Sequence, residues 1–189
     1  YNQKDKKGRQ YSDKISFQNL QKDWRALLCR TSYQDLDMIN SLPTILLHLI
    51  STKYPDCSCY CLYKFVKNRE QTLELLGCTK KDFLIKYIMT DETIETLPDN
   101  PTNYSDQLRK EMCKIRETIA RNNEEDSASN ATNPKASLLA KLCFDIENEI
   151  LSLVIKKIGK KNIGSLCFDG LIIDNDYKID LEMINNITK

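Results

Sequence analysis

No run of apolar residues in this sequence approaches the roughly 20 needed to cross a bilayer as a helix, and nothing at the start has the layout of a secretory signal. We therefore expect a soluble, intracellular protein with no membrane partner. Without a secretory route, the N-x-S/T triplets at Asn103, Asn130 and Asn186 are chance matches to the glycosylation pattern. An excess of charge is missing too. Lys+Arg 28 against Asp+Glu 27 leaves +1, so the field of the whole molecule does not mark a polyanionic partner, and any nucleic-acid surface has to be a local patch. Lys4, Lys6, Lys7 and Arg9 form one candidate patch, or else a solvated tail.

Histidine is almost absent. His48 is the sole one, and we expect it packed on the apolar face of a helix rather than working as a general base. Zinc ligation also lacks its spacing: Cys57, Cys59 and Cys61 stand at C-x-C-x-C, whereas zinc sites favour two to four intervening residues and a fourth ligand. Neither C-x-x-C nor H-x-x-x-H supplies one. The eight cysteines read as reduced thiols, because 189 residues rich in Leu and Ile need no disulfide staple.

The length suffices for one sizeable core with a smaller lobe. The first residue is Tyr1 rather than Met, which we read as a piece cut from a longer chain. Residues 1–20 are a polar, basic segment. A short helical turn around Trp24, Ala26, Leu27 and Leu28 follows, then a core strand over Tyr33–Ile39. Ser41 is the expected N-cap of a helix with Pro43 in its first turn. Lys53–Cys61 reads as a loop or short strand. Helical spacing resumes from Leu62 to Leu76 with Gly77 as its stop, and Thr79 caps a helix over Lys80–Met89. Residues 91–104 connect to a helix over Asp106–Arg121. The polar stretch 122–133 is expected to be disordered. Ser137–Lys157 is the longest helix, with Gly159 ending it. Ile163–Phe168, a turn at Asp169-Gly170, and Leu171–Ile173 form a β-hairpin.

The strand and the hairpin each end in a carboxylate. Asp37 at a strand end and Asp169 at a hairpin tip can converge because sheet pairing fixes their separation. Asp-Gly also suits a hairpin turn for conformational reasons alone, and Asp35 shares a strand face with Asp37. The residues themselves thus indicate a mixed helix-and-strand domain with an acidic site.

A resemblance gives that site a chemistry. Ser16–Leu20, Trp24–Cys29 and Asp35-Leu36-Asp37-Met38-Ile39-Asn40-Ser41-Leu42-Pro43-Thr44-Ile45-Leu46 resemble the palm of the family A–like DNA polymerases of giant viruses and virus-related transposons, whose first motif is D-x-D-x-x-N-x-H-P-x-x-L. Leu166-Cys167-Phe168-Asp169-Gly170-Leu171-Ile172 is similar to their last motif, F-D-G, and Ala136–Leu139 with Asp145–Asn148 matches the helix before it. The likeness covers roughly residues 8–175. It implies an α+β fold, with a palm-type antiparallel sheet packed by helices over residues 21–189 and a partial helical fingers lobe over about 62–121. It also implies template-directed nucleotidyl transfer on primer–template nucleic acid with deoxynucleoside triphosphates, using Mg2+ or Mn2+, with flanking replication domains as further partners. A non-catalytic primer–template-binding palm, or a scaffold within a replication complex, is the alternative. A two-metal nuclease lacks support, since no further acidic cluster accompanies the two aspartates.

On this resemblance Asp37 and Asp169 are the metal-binding aspartates, and the backbone carbonyl of Met38 completes the nucleotide-side metal. Arg25 contacts template or triphosphate, or is a surface cation. Lys80 and Lys86, with Lys81, occupy the stretch that neutralises the incoming triphosphate, or form a solvated helix face. Arg9 belongs to the nucleic-acid patch, and Glu147 faces the primer–template groove or is an ordinary helical Glu. Two departures stand out. Leu42 replaces the family's His at the position that helps exclude the ribose 2′-OH, and Met89-Thr90-Asp91-Glu92 replaces the usual Gly- or Asn-containing end of the fingers helix.

Overall fold

The computed structural model describes residues 1, 9–92, 97–98, 102–123 and 131–187. Most of the stretch 122–133 expected to be disordered, and the lysines of the basic opening, lie outside the described residues. The rest is an α+β protein: three antiparallel strands and a majority of helix. The chain divides into two units, one formed by Tyr1–Ser41 with Phe144–Lys189 and the other by Leu42–Cys143.

The first unit is built on strands β1 (Tyr33–Asp37), β2 (Ile163–Cys167) and β3 (Gly170–Asp174) in the order β1-β3-β2. The central strand β3 is the most apolar, as a strand covered on both faces should be. On one face Leu36, Leu166, Leu171 and Ile173 pack against Leu151, Val154 and Ile158 of helix α7 (Pro134–Ile158) and Ile184 of helix α8 (Leu181–Ile187). Side chains alternate along a strand, so the other face carries Tyr33, Asp35, Asp37, Ile172 and Cys167. Its apolar part is a small cluster of Cys29, Cys167 and Ile172 with Phe17 and Tyr33. Gly164 is the extra residue where the β2–β3 register shifts, and the ring of Tyr33 takes the place of a side chain there.

Helix α1 (Lys22–Cys29) forms as its composition indicates, but Trp24, Leu27 and Leu28 point outward at 60%, 61% and 56% exposure. It attaches through Cys29, one position from the apolar face on which the periodicity would place its packing. Strand β1 stops at Asp37, two residues before the apolar pattern runs out, because Asn40 adopts φ 57° and turns the chain.

The second unit is helical: α2 (Ser41–Lys53, of which Leu42 onward belongs here), α3 (Tyr60–Lys67), α4 (Arg69–Leu76), α5 (Lys80–Phe83), α6 (Tyr104–Arg121) and the start of α7. The single helix expected over Leu62–Leu76 is two, broken at Asn68, whose φ −132° and ψ 53° leave the helical region. Gly77 ends α4 at φ 60°, donating to the Glu74 carbonyl while Cys78 donates to that of Leu73. Thr79 and Asp82 form a capping box on α5, which widens into a π-helical turn over Leu84–Ile88. Phe65 and Phe83 stack at 3.6 Å between centroids, with Tyr87 beside them, in a core shared with Leu62, Leu108, Met112 and Ile115. His48 does not join this core. It is exposed, because α2 buries the face of Leu42, Ile45, Leu46, Leu49 and Ile50 and turns His48 with Ser51 and Thr52 to the other side.

Two buried ionisable side chains organise this unit. The Glu111 carboxylate accepts the backbone N–H groups of Cys61 and Leu62 at 2.9 and 2.8 Å, supplying the missing acceptors at the start of α3. Arg116, 2% exposed, donates to the Tyr87 carbonyl at 2.8 Å and lies 3.8 Å from Asp91. Asp91 in turn accepts the N–H groups of Lys135 and Ala136 at the start of α7, while Arg109 grips Glu92. Asp91 and Glu92 are thus tied down by charge.

Candidate active site

Sheet register determines which acidic residues are brought to one end of the sheet. Asp37, the last residue of β1, pairs with Gly170, the first of β3. The chain immediately beyond both is joined by a further bond, the N–H of Met38 donating to the Asp169 carbonyl at 3.1 Å. The expected pairing of the Asp37 strand with the Asp169 hairpin therefore holds, and two aspartates from opposite ends of the sequence stand at one end of the sheet. The turn itself is displaced by one residue. Cys167 pairs with Gly170, so Phe168 and Asp169 are the turn residues, and Phe168 carries the positive φ of 57°.

The reason lies at Gly170. A Cβ there would stand 2.8 Å from the Leu36 carbonyl oxygen and overlap the Asp37 carboxylate. The glycine is kept for space beside Asp37 rather than for turn freedom, and the conformational strain passes to Phe168.

Ser41, expected as a cap, is instead the first residue of α2. Its hydroxyl donates to the Asp169 carboxylate at 2.9 Å. Asn40, just before it, is 4% exposed and leaves both side-chain polar atoms without a hydrogen-bond partner. Unsatisfied buried amides cost about 1–3 kcal/mol, and they concentrate where a site is completed by something bound. Neither the positive φ of Asn40 nor the bond from Ser41 to the distant hairpin shows in a one-dimensional pattern, so the sequence marks neither residue as part of the site.

Burial pushes the thiols of Cys29 and Cys167 up, while Arg25 pulls both down and Asp35 pushes both up, so the cation and the second strand aspartate are within electrostatic reach of both sulfurs. Arg9, a candidate nucleic-acid contact from the basic opening, and Glu147, assigned to the primer–template groove on the resemblance, are partners of each other. Glu147 is 1% exposed and holds the guanidinium through two bonds, Nε to Oε1 at 2.6 Å and Nη2 to Oε2 at 2.9 Å. Burial lowers the Arg9 pKa, but Glu147 and then Asp169 raise it by more, so the guanidinium stays charged beside the hairpin tip.

Lys80, Lys81 and Lys86 belong to the second unit and are exposed, with Lys86 lying 5.3 Å from the Tyr87 ring centroid. The C-x-C-x-C stretch shows thiols that burial pushes up at Cys59 and at Cys61, the latter to about 11.

Among the described residues no group of three or more His, Cys, Asp or Glu side chains converges for a metal, and no helix is long and apolar enough to cross a membrane. Two aspartates with hard oxygen donors suit Mg2+ nonetheless, because that ion keeps several waters and binds through one or two carboxylates plus substrate phosphate.

Comparison with known proteins adds one likeness. The chain is 26% identical to "Putative helicase V13" of Sputnik virophage over 88% of its own length, and it spans 24% of that relative. No family model matches the chain, and no solved structure matches it.

Proposed function

We propose that this chain is the nucleotide-transfer module of a replication protein, a DNA polymerase palm of the family A–like type, in which Asp37 and Asp169 bind Mg2+ or Mn2+. The observation that carries the reading is the register Asp37↔Gly170, extended by the Met38–Asp169 bond. A divalent ion bound there would supply charge stabilisation for the attacking and leaving oxygens. Asp37 and Asp169 would hold it. Ser41 orients the Asp169 carboxylate, and Gly170 leaves the room that Asp37 occupies. Arg25, within electrostatic reach of the same two sulfurs as Asp35, is suited to a phosphate of template or nucleotide.

The virophage relative bears a helicase name, which supports work on nucleic acid. An ATP-driven helicase motor of the common type needs a G-x-x-x-x-G-K-[ST] phosphate loop. This sequence contains none, so we assign the motor chemistry to no part of it. The alternative is a palm that grips primer–template without catalysis, within a longer replication protein. It draws on the Met89–Glu92 segment, whose carboxylates are engaged by Arg109, Arg116 and the start of α7.

The test is primer extension by the purified chain with primer–template, deoxynucleoside triphosphates and Mg2+ or Mn2+. Extension by the wild type that is lost in Asp37→Asn and in Asp169→Asn, with the double variant scarcely worse than either single, is the expected result. Wild-type extension no greater than that of the double variant overturns the catalytic reading, and primer–template binding in the same samples would then favour the alternative.

A further inference from the structure

Arg9 lies far from Glu147 in sequence, yet its guanidinium is held by that buried carboxylate in two bonds and sits 4.2 Å from the Phe144 ring centroid and 5.6 Å from that of Phe168. The neighbouring residues extend the same attachment. The amide of Gln10 donates to Asn148 at 2.9 Å, the Tyr11 ring meets Phe168 edge-on at 6.1 Å, and Gln18, itself buried, accepts from the Ser12 N–H and donates to the Gln10 carbonyl. Phe168 is the turn residue with positive φ, and it immediately precedes Asp169.

From this arrangement we infer that Arg9 is a positioning residue for the metal-binding carboxylate of Asp169, acting through Phe168, with Glu147 as its anchor on α7. A bulky side chain in the left-handed region persists only where its surroundings over-determine it. Among the described residues, the cation and ring contacts to Phe168, itself 38% exposed, come from Arg9 and Tyr11 on the incoming segment. The guanidinium fork is rigid and planar, so Glu147 fixes its plane as well as its place. The inference rests on the assignment of Asp37 and Asp169 as metal ligands. It replaces the expectation that Arg9 and Glu147 each face nucleic acid.

The test is Mn2+ affinity of the full chain, followed by the loss of the free-ion electron paramagnetic resonance signal, alongside thermal melting. Arg9→Met is expected to weaken Mn2+ binding by about 10- to 100-fold, the range for groups that orient metal ligands, and Arg9→Lys to recover only part of it. Because Arg9→Met leaves Glu147 buried and unpaired, the Arg9→Met/Glu147→Met double variant is measured too. It should melt as a folded protein and bind Mn2+ as weakly as Arg9→Met. A folded double variant with wild-type Mn2+ affinity overturns the positioning role. So does a loss confined to primer–template affinity, which would make Arg9 a nucleic-acid contact. The metal assignment fails separately, if wild-type Mn2+ binding is unchanged by Asp37→Asn and Asp169→Asn.

Discussion

A methyl group added at Gly170 would run into the Asp37 carboxylate and the Leu36 carbonyl. Gly170→Ala is therefore expected to lower stability by about 1–3 kcal/mol, as overpacking does, and to abolish primer extension, since β1 can relieve the clash only by moving Asp37. Urea denaturation and an extension assay check the two effects together. Asn40 carries the opposite expectation. Its backbone is already in the region glycine prefers, and its amide is buried without partners. Asn40→Gly should then raise unfolding free energy by about 1 kcal/mol, partly offset by the greater freedom of glycine in the unfolded chain. A urea midpoint below that of the wild type would show that the amide is satisfied after all.

Helix α3 begins on a borrowed carboxylate. Burial raises the Glu111 pKa from its ordinary 4.5, and the N–H groups of Cys61 and Leu62 offset this only in part. The folded state thus holds the Glu111 proton more tightly than the unfolded chain does. Its contribution to stability is greatest below the unfolded value near 4.5 and is lost as pH rises through the folded one. Urea midpoints taken between about pH 4 and 7 should fall with a slope that Glu111→Gln flattens; an unaltered slope would assign the titration elsewhere. At this scale the sequence was readable where the signal is local. Gly77 and Thr79 mark helix ends by their own conformational preferences, and the β-hairpin follows from two apolar runs around a turn. Long-range partners were not readable. Nothing near Glu111 or Glu147 indicates that each is buried by a group far away in the chain. Asn68, an ordinary polar residue in a helical pattern, gives no hint of the break there, and α8 lies in a polar stretch that the periodicity passed over.

At the scale of the whole molecule, we propose that Asp37 and Asp169 form one anionic site. Asp37 and Asp169 were legible as candidates because each ends a β element. Their convergence needed the register, and the one-residue shift of the turn needed the contact between Gly170 and Asp37. Two carboxylates gathered at one end of a sheet repel until a cation lies between them. Mg2+ at about 100 times its dissociation constant should stabilise the wild type by about 2.7 kcal/mol and the Asp37→Asn/Asp169→Asn variant by nothing measurable; equal thermal shifts in the two would place the ion elsewhere. The most direct measurement is an anomalous-difference map from crystals grown with primer–template, a nucleotide and Mn2+. Manganese bound jointly by the carboxylates of Asp37 and Asp169, with the nucleotide phosphates completing its coordination, is the expected result. Manganese on the phosphates with neither aspartate as a ligand would contradict it.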